Sequence, residues 1–136
     1  MYNEIDYLMT AAERNAKYST CKKLQVGCVL IKSDGYFVGG WNSATGCESV
    51  KGCEVEGHCR STLHAEMDAL ITCARLGQST YDATLYVTHY PCPDCLKHLR
   101  AAGVRKIYYK HEYPHAYSNN FADGMEIIKY EESVLR

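Results

Sequence analysis

Residues 64–109 decide the fold, and their sequence is HAEMDALITCARLGQSTYDATLYVTHYPCPDCLKHLRAAGVRKIYY. Helical periodicity alternates here with short β-branched and aromatic runs, and a glycine follows each helical segment. These patterns predict a helix over 64–76, a strand over 84–88, a helix over 92–102 and a strand over 104–109. A strand, a helix and a strand joined by short loops predict a parallel pair of strands with a helical crossover.

The segments before this stretch predict a helix and a hairpin. Asn3 is a plausible N-cap, and the residues after it place an apolar face on one helix, formed by Ile5, Leu8, Met9, Ala12 and Ala16. Alternating apolar residues predict a strand over 24–31 and a return strand over 36–41. The turn residues of 33–35 lie between them.

The remaining segments have weaker patterns. Residues 43–62 lack periodicity and hold several cysteines and glycines, so we expect a loop that something other than a hydrophobic core must order. Near the C-terminus we expect a short helix over 119–124 and a last strand over 125–130. Together the elements predict an α/β fold, a three-layer α-β-α sandwich with a mixed central sheet, built as a single domain over 1–136.

Composition limits the functional classes. The net charge is −1, which argues against a broad basic surface for a nucleic-acid backbone. No apolar stretch reaches the length of a membrane span. Eight cysteines in a secreted chain would suggest disulfides, but residues 1–6 lack the basic and apolar regions of a signal peptide. We therefore expect a cytoplasmic location, or the host cytoplasm for a viral protein, and no membrane or polynucleotide partner.

Two short motifs open the two predicted helices of the central stretch. HAE occupies 64–66 and PCPDC occupies 91–95, with the 25 residues 67–91 between Glu66 and the first cysteine. An H-x-E motif followed by P-C-x-x-C is an established signature of zinc-dependent nucleobase deaminases. A single C-x-x-C would be weak evidence, but here both motifs begin helices that flank one strand.

The motif residues have the chemistry that a catalytic zinc requires. Cys92 and Cys95 are three residues apart at a helix start, where the helix dipole favours thiolates. His64 would add a neutral nitrogen ligand. Three protein ligands leave the fourth tetrahedral position for water, which distinguishes a catalytic zinc from a structural one. The alternatives are a structural zinc or a chance pattern.

Glu66 lies two residues from His64, so its carboxylate can reach the water without binding the metal. We expect it to carry a proton from the water to N3 of a pyrimidine base and then to the departing ammonia, while oxygen is added at C4. The Ala65 N–H is a candidate donor to the base carbonyl. A non-catalytic zinc scaffold would need no such base, so Glu66 argues against that class.

The sequence resembles the deoxycytidylate (dCMP) deaminases, especially the short phage-type ones, over about residues 5–115. The runs 64–70 and 86–95 carry the resemblance to the zinc-dependent cytidine deaminase superfamily. The hairpin from 26–29 to 40–42 and the cysteine-containing loop point to the dCMP branch. The resemblance implies hydrolytic deamination of dCMP to dUMP, which supplies thymidylate synthesis. Alternatives are a dual dCMP/dCTP deaminase and, less favoured, a tRNA or single-stranded DNA deaminase.

The resemblance also implies roles for four further residues. Asn42 would hydrogen-bond the sugar or phosphate, Tyr113 would pack on the nucleotide, Lys23 would meet the phosphate, and Arg75 would serve subunit packing or regulation. Each has an ordinary structural alternative: a turn residue, a packed ring, a solvated lysine and a favourable charge at a helix end, respectively.

Members of this family are commonly homohexamers that dCTP with Mg²⁺ activates and dTTP inhibits, so the resemblance implies an allosteric homohexamer. The usual Gly-Tyr-Asn-Gly run of the regulatory loop is here Gly-Trp-Asn-Ser at 40–43, which puts this regulation in question.

The remaining cysteines suggest a second, structural zinc. Some dCMP deaminases draw such a site from the loop before the catalytic helix and from the segment before the first strand. The preferred ligands are Cys21, Cys53 and Cys59, with His58 or Cys47 as the fourth. The alternative is a set of reduced, unliganded cysteines. Cys28 and Cys73 lie in strand and helix patterns and are predicted to be core residues.

Overall fold

The computed structural model describes residues 3–21, 23–43, 54–55, 58–59, 62–113 and 121–132. Within these ranges the helices are α1 (Glu4–Ala16), α2 (Ala65–Arg75) and α3 (Pro93–Ala101). The strands are β1 (Gly27–Ile31), β2 (Phe37–Trp41), β3 (Glu54–Val55), β4 (His58–Cys59), β5 (Thr84–His89), β6 (Lys106–His111) and β7 (Glu126–Lys129). The three longer predicted helices and the main strands are therefore present, with shifts of a few residues at their ends.

Five strands form one mixed sheet in the order β2-β1-β5-β6-β7. β1 is antiparallel to both β2 and β5, with Gly27 opposite Trp41 and Cys28 opposite Val87. β5, β6 and β7 run parallel to one another. Because α3 connects β5 to β6, the parallel pair predicted from 84–109 is confirmed.

Helices cover both faces of the sheet and produce three layers. On one face α1 packs over the central strands, in a buried cluster of Leu8, Met9, Ala12, Val29, Tyr86 and Tyr130. On the other face α2 and α3 pack side by side, in a buried cluster that includes Ala69, Cys73, Leu96, Leu99, Leu30, Leu85 and Val87. The predicted three-layer sandwich and the predicted core positions of Cys28 and Cys73 are confirmed.

Local signals explain where the helices begin and end. The Asn3 carboxamide oxygen accepts the Ile5 N–H at 2.8 Å, which confirms the predicted N-cap of α1, an interaction typically worth about 1 kcal/mol. Gly77 and Gly103 follow α2 and α3 with φ of 72° and 92°, a conformation that favours glycine.

In the described part of the chain, no helix has the length and apolarity to cross a membrane.

Two strands start at least two residues later than their sequence patterns predict. β1 begins at Gly27 rather than at 24, because the Asn42 side chain occupies the backbone groups there. Its oxygen accepts the Val26 N–H at 2.8 Å and its nitrogen donates to the Leu24 carbonyl at 2.7 Å. β6 begins after Val104, because the Val104 N–H still donates to the carbonyl of Leu99, near the end of α3.

The loop predicted over 43–62 is wrong in part. Strands β3 and β4 form a small antiparallel pair with Glu54 opposite Cys59, and Ser43 bridges Leu63 through two backbone hydrogen bonds. Residues 44–53, 56–57 and 60–61 lie outside the described part. Of the helix predicted over 119–124, residues 119–120 also lie outside it. The rest shows a single 3₁₀ residue, Phe121, and a turn at 123–124.

Gly40 lets α2 approach the sheet closely. A Cβ at this position would lie 2.4 Å from the Ala65 carbonyl oxygen and 3.0 Å from the Cys28 sulfur. Ala65 is the first residue of α2, and its carbonyl also accepts a 3.3 Å hydrogen bond from the Cys28 thiol. The absence of a side chain at Gly40 therefore sets the height of the α2 N-terminus above β1 and β2.

We expect Gly40→Ala to lower the free energy of unfolding by about 1–3 kcal/mol, because the added methyl group overpacks a backbone contact. Urea denaturation followed by circular dichroism measures the change. Ser33→Ala, in the exposed hairpin turn, is the control and should stay within about 0.5 kcal/mol of the parent. An unchanged midpoint for Gly40→Ala would show that α2 is not held at this height by the glycine.

Candidate metal centre and active site

Two helix N-termini meet on the same face of the sheet and carry the motif residues. His64 is the N-cap of α2 and Cys92 is the N-cap of α3, each with extended backbone angles. Cys95 is the third residue of α3. The sequence predicted both cysteines within the first helical turn, but Cys92 stands just before it, because Pro93 begins the helix at its first position.

His64, Cys92 and Cys95 form a compact group of metal-binding atoms. The His64 Nδ1 lies 3.5 Å from the Cys92 sulfur and 3.4 Å from the Cys95 sulfur. All three atoms lie within 4.8 Å of one another. Among the described residues, these are the His, Cys, Asp or Glu side chains that lie close enough together, three or more at a time, to hold a metal ion.

The donor set fits zinc. A tetrahedral zinc with bonds of about 2.3 Å to sulfur and about 2.0 Å to nitrogen would hold those atoms about 3.5 Å apart, close to the separations found here. Two thiolates and one imidazole are ligands that zinc prefers over oxygen-rich sets. Three such ligands from two helix starts leave one tetrahedral position unfilled by protein.

The electrostatics of the cluster favour one thiolate before any ion is considered. The pKa of Cys92 is lowered, first because the Cys95 thiol donates a hydrogen bond to its sulfur. The pKa of Cys95 is raised for the same reason, with burial adding to the effect. The hydrogen bond to Cys92 raises the pKa of His64 above its ordinary value. A bound cation would replace this sharing of protons, since ligands must be deprotonated.

Glu66 lies on the first turn of α2 and is almost completely buried, with 4% of its surface exposed. Burial raises the pKa of its carboxyl to about 7. A buried carboxyl with a pKa near neutrality can both accept and return a proton, which is the property of a general acid–base. The charge of a nearby metal would favour its ionised form.

Asn42, in the hairpin, and Ala65, in α2, are both buried. Asn42 is 6% exposed, and its amide makes the two backbone bonds to Val26 and Leu24 described above. The structural role of Asn42 as a turn residue therefore uses one lone pair of its amide oxygen and one hydrogen of its amide nitrogen. Ala65 is fully buried at the first position of α2, where a backbone N–H has no intrahelical acceptor.

The other predicted site residues lie on the surface. Tyr113 follows β6, is 43% exposed and contacts the His89 ring edge-on. Lys23 is exposed before β1, and Arg75 is exposed in the last turn of α2. Their predicted roles stay predictions.

The second zinc is not tested by the described residues. Cys21 is partly buried before β1, and His58 and Cys59 form strand β4, described in its backbone only. Cys53 and Cys47 lie outside the described part of the chain.

The structure adds three residues that the sequence analysis did not single out. Asp68 accepts the Trp41 N–H at 3.2 Å and so ties α2 to the end of β2. Thr88 accepts the Gly27 N–H at 3.1 Å, and His89 follows it at the end of β5. The only sequence signal for these residues was their closeness to the HAE and PCPDC motifs.

Comparison with known proteins agrees with this geometry. Residues 2–111 match the family described as the cytidine and deoxycytidylate deaminase zinc-binding region. ComE operon protein 2 of Bacillus subtilis is 36% identical over 139 residues, covering 95% of this chain and 73% of that protein. The deoxycytidylate deaminase of Enterobacteria phage T2 is 43% identical over 54 residues, but this is 40% of the chain and only 29% of the phage protein.

The dCMP deaminase of cyanophage S-TIM5, crystallised with dCMP and dUMP, superposes with a TM-score of 0.79 at 34% identity, over 96% of this chain and 99% of that one. The match covers the sheet, its helices and the metal-binding motifs. The chain belongs to the cytidine and deoxycytidylate deaminase family.

Proposed function

We propose that the protein converts dCMP and water to dUMP and ammonia, and so supplies dUMP for thymidylate synthesis. One observation carries the proposal: the His64, Cys92 and Cys95 ligand atoms lie within 4.8 Å of one another, beside a buried Glu66. The cyanophage relative, which binds dCMP and dUMP, supports the choice of substrate. The dual dCMP/dCTP alternative is not favoured, because several of the relatives are named deoxycytidylate deaminases.

A bound metal ion would supply the acidity that the reaction needs. A zinc ion held by His64, Cys92 and Cys95 would lower the pKa of a water molecule to about 7. The cluster is a donor set for that ion on geometric and chemical grounds, and we assign these three residues as its ligands.

Glu66 transfers the protons between water, base and leaving group. The carboxylate accepts one proton from the attacking water and delivers it to N3 of the base as oxygen bonds to C4. It then transfers the second water proton to the exocyclic nitrogen, the C4–N4 bond breaks, and ammonia leaves. The two water protons thus end on N3 of dUMP and on ammonia, so the carboxylate is unchanged after one turnover.

Four residues are assigned to nucleotide binding. We propose that the Ala65 N–H donates to the base carbonyl, that Asn42 uses its second amide hydrogen on the sugar or phosphate, and that Tyr113 packs on the nucleotide. Lys23 would meet the phosphate. The burial of Asn42 and Ala65, and the position of Tyr113 beyond β6, support these assignments.

Assembly and regulation are further proposals. The resemblance supports a cytoplasmic homohexamer with Arg75 at an interface, activated by dCTP with Mg²⁺ and inhibited by dTTP. The exposed place of Arg75 in the last turn of α2 is compatible with a subunit contact.

A substrate panel tests the proposed reaction. The zinc-loaded protein is offered dCMP, dCTP, deoxycytidine, cytidine monophosphate and a single-stranded DNA oligonucleotide, and ammonia release is measured. We expect the highest kcat/KM with dCMP, because the monophosphate supplies the contacts that deoxycytidine lacks. The net charge of −1 predicts no activity on the oligonucleotide. Turnover of the oligonucleotide without turnover of dCMP would refute the proposal.

Glu66→Gln should lower kcat by about 10²–10⁴-fold and retain zinc, because the amide keeps the shape of the side chain but accepts no proton. Steady-state kinetics and metal analysis of the same preparation measure both effects. Asp94→Asn is the matched control, since Asp94 is an exposed carboxylate between Cys92 and Cys95 in the sequence, and its kcat should stay near the parent value. Normal turnover by Glu66→Gln would remove Glu66 from the proton transfer.

Metal content tests the second zinc, which we propose on Cys21, Cys53, Cys59 and either His58 or Cys47. We expect two zinc ions per chain in the parent. Cys53→Ser should retain one zinc, whereas Cys95→Ser should lose the catalytic zinc and the activity, because zinc prefers thiolate over hydroxyl ligands. One zinc per chain in the parent would refute the structural site and leave the catalytic one intact.

A further inference from the structure

Three rings meet where β5 and β6 end. His89 is the last residue of β5, His111 is the last residue of β6, and these two residues lie opposite each other in the parallel pair. Their ring centroids are 5.0 Å apart. Tyr113, two residues after the end of β6, contacts His89 with the ring centroids 6.3 Å apart and an interplanar angle of 77°. His89 lies three residues before Cys92, so this ring cluster adjoins the metal-binding motif.

A buried hydroxyl anchors His89 on one side. The His89 Nδ1 lies 2.8 Å from the Thr88 Oγ1, and Thr88 is 3% exposed. The same oxygen accepts the Gly27 N–H across the sheet at 3.1 Å. The hydrogens can be allocated without conflict, since the Gly27 amide donates to the Thr88 oxygen and the Thr88 hydroxyl donates to Nδ1. This chain of hydrogen bonds ties the ring to the first residue of β1.

The surroundings of His89 favour the neutral ring, which can accept the hydrogen bond from Thr88. Burial, and then the neighbouring His111 ring, lower the pKa of His89 below its ordinary value. A neutral ring has one nitrogen able to accept a hydrogen bond, and a buried hydroxyl is a suitable donor to it. His89 is therefore a half-buried ring with a defined orientation, in contrast to the more exposed Tyr113.

We infer that His89 is a positioning residue for nucleotide binding: anchored by Thr88, its ring orients Tyr113 against the bound nucleotide. The inference rests on the proposed function, because it takes Tyr113 as a nucleotide contact. An edge-on ring contact that is made before binding reduces the conformational freedom that the tyrosine loses when substrate arrives. His89 itself needs no contact with the reacting atoms.

A double-mutant cycle tests this role. The parent, His89→Leu, Tyr113→Leu and the double variant are compared for kcat and KM with dCMP and for zinc content. We expect each single variant to raise KM by about three- to tenfold with little change in kcat, as the loss of one ring contact implies. The double variant should have the same KM as Tyr113→Leu, because His89 acts through Tyr113.

Two further variants separate positioning from general destabilisation. His89→Phe keeps a planar ring beside Tyr113, so its KM should lie between those of the parent and His89→Leu. If His89→Leu does not fold, His89→Phe takes its place in the cycle. Tyr108→Leu removes a stacked ring contact, 4.8 Å from Tyr86 on the opposite face of the sheet, and should leave KM unchanged.

The outcomes distinguish the two proposals. The role of His89 would be overturned if the KM increases of the single variants multiply in the double variant, or if Tyr108→Leu raises KM as much as His89→Leu does. In either case dCMP deamination by the parent stands. A zinc-loaded parent that does not turn over dCMP would overturn the proposed function and, with it, the inference about His89.

Discussion

The close approach of two helix N-termini on one face of the sheet is the constraint on which the site depends. α2 packs over β1 and β2, α3 packs beside it over the parallel strands, and the two helices share one hydrophobic cluster. His64 and Cys92 are their N-caps, so any change in the height of either helix changes the separation of the ligand atoms. Gly40 permits this height, because even one methyl group there would collide with the carbonyl of Ala65.

The same arrangement explains the chemistry that collects there. The hydrogen bond from the Cys95 thiol favours the thiolate of Cys92, and burial in the adjoining core raises the pKa of Glu66. These two effects have opposite signs: the Cys92 thiol is held ionised, whereas the pKa of the Glu66 carboxyl is held near neutral pH. Burying a carboxyl without an ion pair destabilises a fold, so the position of Glu66 is explained better by proton transfer than by stability.

Side chains hold the strand ends at the hairpin edge of the sheet. Asn42 uses its side chain to close the open end of β1 and β2, and Asp68 ties the neighbouring Trp41 amide to the catalytic helix. Thr88 serves β1 in the same way from β5, through the Gly27 amide. Because side chains replace the missing ladder hydrogen bonds, the strand ends next to the metal centre keep a defined geometry where regular pairing stops.

The sequence by itself determined the three main helices and the parallel pair β5 and β6, and it predicted the zinc ligands and the general base. Each of these depends on spacing within one or two adjacent segments. Periodicity, helix caps and the HAE and PCPDC motifs are local signals of this kind. Only the tertiary structure decided that β1 lies between β2 and β5, that Asn42 holds the backbone of Val26 and Leu24, and that His89 contacts Tyr113. These contacts join residues from separate segments, and their partners are chosen by packing across the whole sheet, which no local pattern reports.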